Sequence, residues 1–286
     1  MAAFEDLPEG CIAAILSRTT PLDAGRLSLV SKNFHSASDF DDVWNSFLTS
    51  SGSQFIDSII SHSPPLAKIP TKKALFMALC DHPVIIDNGR KSFQLHKKSG
   101  KKCYMLAARS LEISWRSHEQ FFNWWTSMPE SRFPEVVELL NVCWLDIRGK
   151  INTLALSPNT HYETYLVFNM INGFGFEKEK YPVELSVDIE DGRCSTKIVI
   201  LVDPDVKCRR LNKILDSQHN NEFELRRPSV RSDKWLETKI GEFFNSGVED
   251  REVQMSFTGI RGVYPLKRGF FVEGIEIRPK EYSLYG

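Results

Sequence analysis

The stretch Phe4-Glu5-Asp6-Leu7-Pro8-Glu9 opens a run of helical signals that continues through Ile12, Ile15, Leu16, Pro21-Leu22, Leu27, Val30-Ser31-Lys32 and Val43-Trp44. Pro8 suits the first turn of a helix, where a missing N–H costs nothing, and Asp6 and Glu9 favour its positive end. Ile12, Ile15 and Leu16 fall at i, i+3 and i+4, giving one apolar stripe. Thr20-Pro21-Leu22-Asp23 reads as a second start: a capping threonine, a proline at the first helical position and an acid three after the cap. Leu27 and Val30 continue that helix's apolar face. Short helices totalling about 40 residues bury too little surface for a robust core. Such a module is expected to complete itself against a partner.

The joint spacing of Leu7-Pro8, Pro21-Leu22-Asp23, Val30-Ser31-Lys32 and Val43-Trp44 resembles an F-box, the adaptor-docking module of Skp–cullin–F-box ubiquitin ligases. Phe34 stands where many F-boxes carry tryptophan. Periodicity alone fits an ordinary helical segment of a larger domain equally well. The resemblance implies a module over residues 1–48 that does no chemistry. It also implies an adaptor-binding set of Leu7, Pro8, Ile12, Ile15, Leu16, Pro21, Leu22, Leu27, Val30, Val43 and Trp44.

The chain has 286 residues and a formal net charge of −1, so nothing global calls for nucleic acid or an anionic membrane. The start, Met1-Ala2-Ala3-Phe4-Glu5-Asp6, lacks the basic residues and apolar run of a signal peptide. No stretch approaches the roughly 20 apolar residues that span a bilayer. Cys11, Cys80, Cys103, Cys143, Cys194 and Cys208 are scattered without a C-x-x-C pair, which points to reduced thiols. The expected location is cytoplasmic, nuclear or both.

Residues 49–103 read as a linker with short helices and a hairpin expected to pack on the next domain. Phe55, Ile59 and Ile60 mark an amphipathic helix, Thr71 caps another, and Asn88-Gly89 between apolar runs signals a turn. Lys97 to Lys102 reads as a basic loop. From about residue 104 to 281 the period is two. Val142–Ile147, Tyr165–Ile171, Val183–Ile189, Ile198–Val202, the alternation Val253, Met255, Phe257, and Ile275 with Ile277 are predicted strands. Residues 204–234 read as a long exposed loop. The expected fold class is α+β multidomain: a small all-α module followed by an antiparallel β-sandwich.

A second resemblance rests on Ser110-Leu111-Glu112-Ile113-Ser114-Trp115, Pro129–Phe133, Glu138–Ile151, Tyr165–Phe168, Trp235–Glu237, Gly241–Phe244 and Gly274–Lys280. These blocks, in this order, are similar to the phloem protein 2 domain. Behind an F-box, the arrangement resembles the plant F-box proteins of the phloem protein 2-B group. The resemblance implies a jelly-roll-like sandwich shared with Nictaba-type lectins, which bind N-acetylglucosamine oligomers or N-glycan cores. It places tentative carbohydrate-binding residues at Trp115, Phe122 and Glu252. The family's second tryptophan is Phe122 here, and its second glutamate is Gly259.

Trp115 shares strand parity with Leu111 and Ile113, so it fits a core position as well as a sugar platform. Glu252 lies opposite the Val253–Phe257 face and fits a solvated strand carboxylate too. Trp124, Trp125, Trp144 and Trp235 read as packing residues. Gly173-Phe174-Gly175-Phe176 is not a dinucleotide fingerprint, and no metal-ligand spacing, H-E-x-x-H or G-x-S-x-G occurs. No cofactor, metal site or catalytic residue is expected. The expectation is a non-catalytic ligase subunit that binds a Skp-type adaptor, through it a cullin, and a target protein, glycosylated or not. The alternative is a nucleocytoplasmic lectin without a ligase role.

Overall fold

The structure is a computed structural model that describes residues 7–49, 53–114, 118, 120–126, 128–142, 144–174, 182–190, 192, 194–201, 224–259 and 268–281. It divides into two compact units, Met1–Asn88 with Ser92–Tyr104, and Gly89–Lys91 with Met105–Gly286.

The first unit contains α1 (Glu9–Leu16), α2 (Pro21–Leu27), α3 (Lys32–Ser38), α4 (Asp41–Thr49), α5 (Ser53–Ser61) and α6 (Lys72–Asp81), then β1 (Val84–Ile86), β2 (Lys91–Leu95) and the start of β3 (Lys102–Ala107). Its caps follow the sequence. Thr20 Oγ1 accepts from the Asp23 N–H at 3.1 Å and donates to the Asp23 carboxylate at 2.8 Å. Ser31 and Thr71 cap α3 and α6 the same way, accepting from Phe34 N and Ala74 N. Trp44 sits at the centre of this unit. Its indole N–H donates to Ser38 O at 2.6 Å, and its ring meets Phe47 at 5.7 Å and Phe76 at 5.3 Å. Helices before and after residue 49 therefore share one core.

The Asn88-Gly89 turn is present: Asp87, Asn88 and Gly89 all take positive φ between β1 and β2. The basic loop is shorter than predicted, because Lys102 already belongs to β3 and is buried with its Nζ 4.1 Å from the Phe55 ring centre. Burial lowers its pKa.

The second unit holds β4 (Glu112–Ile113), β5 (Phe122–Thr126), β6 (Glu135–Leu139), β7 (Asp146–Asn152), β8 (Thr160–Phe174), β9 (Pro182–Ile189), β10 (Ser195–Leu201), β11 (Glu224–Arg226), β12 (Ser229–Val230), β13 (Leu236–Asn245), β14 (Glu252–Gly259) and β15 (Arg268–Pro279). One sheet runs β15-β8-β13-β12, with β6 on β15 and β5 on β6; the other runs β11-β10-β9-β14-β7-β4. All these pairs are antiparallel except β10 with β11.

Inner faces supply the core: Leu166, Phe168, Phe270, Val272 and Ile275 from one sheet, Val183, Leu185, Ile147, Val253, Met255 and Phe257 from the other. Close approach demands glycine at Gly274, where a Cβ would lie 2.1 Å from the Leu106 carbonyl oxygen. β7 starts four residues later than predicted, at Asp146 instead of Val142. β11 and β12 lie inside the stretch read as a loop. β13 escaped the periodicity reading because a bulge between Lys239 and Gly241 reverses its parity midway.

An ion-pair ribbon crosses the outer face of the β15-β8-β13-β12 sheet. Arg231 Nη1 donates to Glu276 at 2.6 Å and Glu237 at 2.9 Å. Arg278 forks onto Glu237 at 2.7 and 2.9 Å and reaches Glu276 at 3.1 Å. Arg132 adds a contact to Glu276 at 3.3 Å. Burial alone would raise the Glu276 pKa, but Arg231 and Arg132 hold it down at about 2.

Two predictions follow from packing and charge. Replacing Gly274 by valine drives a side chain into the Leu106 carbonyl, and a urea titration should show a loss of about 1–3 kcal/mol. Glu276→Ala removes the nearest carboxylate from buried Arg231, which keeps Glu237 and Asp233, and should cost about 1.5–3 kcal/mol at neutral pH. Because the folded pKa of Glu276 lies below the ordinary carboxylate value, its stabilisation is complete above that value and is lost as pH falls from about 4.5 to about 2. The urea midpoint of the wild type should drop through that window more steeply than that of Glu276→Ala.

Candidate functional site

In the first unit, the sequence-named residues separate into two groups. Ile12, Leu16, Pro21, Val43 and Trp44 are buried in the unit's own core. A side chain enclosed by its own helices packs the core of the unit and leaves little of itself at the surface. Pro8 is exposed, Ile15 is 38% exposed and Val30 66%, while Leu7, Leu22 and Leu27 are half-buried. Among the described residues of this unit, the most exposed large apolar side chain is Leu29, at 85%, which sequence reasoning passed over. The signal was available: α2 stops at Leu27, and Ser28 to Val30 form a turn that turns Leu29 and Val30 outward.

In the second unit, Trp115 lies outside the described residues. Phe122 is 6% exposed in β5, so its ring is enclosed and offers no face to a pyranose. Glu252 is exposed on β14, in the other sheet, and its carboxylate pairs with Lys150 at 3.2 Å. Gly259 is buried at the far end of the same strand. The structure therefore does not bring Phe122 and Glu252 together on one sheet.

Glu252 does share a face with other polar groups. Strand parity sets Glu112, Asp146, Arg148, Lys150, Gln254, Ser256 and Thr258 on the outer side of the six-stranded sheet. A shallow cavity of about 330 Å³ is lined by Glu112, Ile113, Ser114, Asp146 and Arg148. Asp146 is saturated: Arg148 donates to both its oxygens at 2.9 and 3.0 Å, and Thr258 Oγ1 donates at 3.2 Å. That pairing pushes the Arg148 pKa up further, so the guanidinium is a fixed cation.

A second concavity, of about 570 Å³, opens beside β5 and is lined in part by Trp125, Glu138, Ile171, Arg268 and Phe271. Trp125 is 43% exposed, and its indole N–H donates to Glu138 at 2.6 Å. It is thus a surface residue, contrary to the packing role read from sequence. Trp235 is buried as expected, and Trp124 lies under the Arg109 guanidinium at 3.7 Å.

Comparison with known proteins follows this division. The F-box domain model matches residues 4–46, and the phloem protein 2 model matches residues 101–279. The putative F-box protein PP2-B2 of Arabidopsis thaliana is 40% identical over 99% of this chain and 85% of its own length. The putative F-box protein PP2-B12 of the same plant is 41% identical over 97% of this chain and 98% of its own. Among solved structures, a family 35 carbohydrate-binding module from Clostridium thermocellum covers 61% of this chain and 96% of its own, with a TM-score of 0.29 and 8% identity, a likeness too slight to bear on the fold. On the two domain matches and the full-length relatives, the chain belongs to the plant F-box proteins of the phloem protein 2-B group.

Proposed function

We propose that this chain is a non-catalytic substrate-recognition subunit of a Skp–cullin–F-box ubiquitin ligase, working in the cytoplasm, the nucleus or both. The supporting observation is the exposed apolar turn after α2. Leu29 and Val30 stand in water on a unit whose other large apolar side chains are mostly enclosed. Exposed aliphatic groups within a family-matched F-box are what an adaptor interface needs, since burying each of them stabilises a complex by about 1.5–3 kcal/mol. Pro8, Ile15 and the half-buried Leu7, Leu22 and Leu27 extend the same reading. The adaptor carries the chain to a cullin, and the sandwich holds a target near a charged E2. Proximity accelerates transfer, with the covalent steps done by other subunits.

A second reading, carbohydrate recognition by the sandwich, is favoured by Glu252. Its carboxylate is exposed on the sheet that also carries Ser114, the residue before Trp115. Target glycoproteins would join the two readings.

Leu29→Asp with Val30→Asp changes exposed positions only. It should reduce adaptor co-purification by more than about tenfold, the loss of about 1.4 kcal/mol or more, with the thermal melt unchanged. Trp44→Ala, by contrast, should lower stability itself by about 3–5 kcal/mol. Adaptor capture that survives the double aspartate variant overturns the proposed interface. On a glycan array, selective binding that is lost in both Trp115→Ala and Glu252→Gln supports the second reading. A folded protein that binds no glycan rejects it.

A further inference from the structure

The β5–β6 ladder carries a tryptophan and a glutamate on each of its two faces. Its register sets Trp124 opposite Val137 and Thr126 opposite Glu135, so Trp124 and Glu135 are diagonal neighbours on one face. Trp125 stands opposite Val136 and Asn123 opposite Glu138, which makes Trp125 and Glu138 diagonal neighbours on the other. Diagonal positions lie within reach of long and aromatic side chains.

On the first face the pair holds a cation of its own chain. The Arg109 guanidinium lies 3.7 Å from the Trp124 ring centre and forks onto Glu135 at 2.7 and 2.8 Å. A planar cation meets both groups at once, stacking on the ring while its N–H groups reach the carboxylate.

On the second face the same pair borders the concavity of about 570 Å³. Trp125 is 43% exposed, its ring is backed by Phe271 at 6.2 Å, and its indole N–H donates to Glu138 at 2.6 Å. That bond fixes ring and carboxylate relative to each other. No salt bridge reaches Glu138 among the described residues. Arg268, a cation of the same lining, is not free.

The lining narrows the occupant. Met128, Leu140, Ile171 and Phe271 make much of it apolar, which suits an aliphatic stem. A carboxylate beside an exposed indole suits a positive tip. An arginine side chain combines the two, and its guanidinium stacks and forks where a lysine ammonium does neither. A pyranose would turn hydroxyls towards apolar walls that offer them no hydrogen bond.

We propose that Trp125 and Glu138 form a recognition pocket for an arginine side chain of a target protein. The guanidinium stacks on the indole and donates to the Glu138 carboxylate, as Arg109 does on Trp124 and Glu135, while its methylenes lie against the apolar wall. This inference rests on the reading of the sandwich as the target-binding end, and it gives that end a preference for segments that present an arginine.

The test follows the Trp125 indole N–H signal of the isotope-labelled full chain by NMR, assigned by its loss in Trp125→Phe. Titration with the blocked peptide Ala-Arg-Ala should shift that signal saturably. The affinity should be about tenfold or more above that of Ala-citrulline-Ala, which keeps the shape and lacks the charge. Glu138→Gln should erase the difference between the peptides in a protein that melts normally, since a glutamine carbonyl still accepts from the indole. An unmoved signal, equal affinity for both peptides, or a preference that survives Glu138→Gln overturns the pocket. Tighter binding of an N-acetylglucosamine dimer at the same signal overturns it too, and makes the concavity a sugar site. Adaptor capture is measured in parallel. If the arginine preference fails while capture persists, only the pocket is rejected; if capture fails while the preference holds, the receptor reading falls and the pocket stands.

Discussion

The buried carboxylate of Glu276 ties together parts of the sandwich that are remote in sequence. It lies on β15, yet its partners come from the turn after β12, from β15 itself and from the segment before β6. Arg231 and Arg278 also share Glu237 on β13, so four segments meet in one network. Nearby, Glu273 on β15 accepts from the Ser131 hydroxyl and the Arg132 N–H, pinning the same approach to β6. Burial raises the Glu273 pKa, while Arg132 pulls it back. An apolar core sets two sheets face to face but is tolerant about where edge loops lie. Directional, charge-assisted bonds fix that, and they hold β6 and hence β5 on the end of the sheet.

The helical unit solves a different problem. It encloses Ile12, Leu16, Val43 and Trp44 by sharing a core with Phe76 of α6, so it is less dependent on a partner than its first 48 residues alone imply. Among the described residues, what remains outside is small: Leu29, Val30, parts of Ile15 and Phe40, and the proline at the start. A short exposed apolar edge on an otherwise finished core suits a docking contact, because the partner adds burial without having to complete the fold.

The two faces of the sandwich are chemically unlike. One outer face neutralises its charges internally through the Glu276 ribbon. The other carries Glu184, Asp188 and Glu190 along β9 and the residue after it, where no salt bridge reaches them among the described residues.

By itself the sequence determined the two-part order, the caps at Thr20, Ser31 and Thr71, and most strands of the sandwich. These depend on neighbours within a few residues, and capping chemistry and period-two alternation are written locally. The tertiary structure alone decided which apolar residues are enclosed. Ile12 and Ile15 belong to the same helical stripe, yet only the packing of α3 and α4 buries the first and leaves the second partly out. It likewise enclosed Phe122, exposed Trp125, and reversed the parity of β13 at its bulge. Alternation says that a side chain points to one side of a strand. What stands on that side is set by segments a hundred or more residues away, such as Glu276 with Arg132, and no local pattern encodes such a meeting.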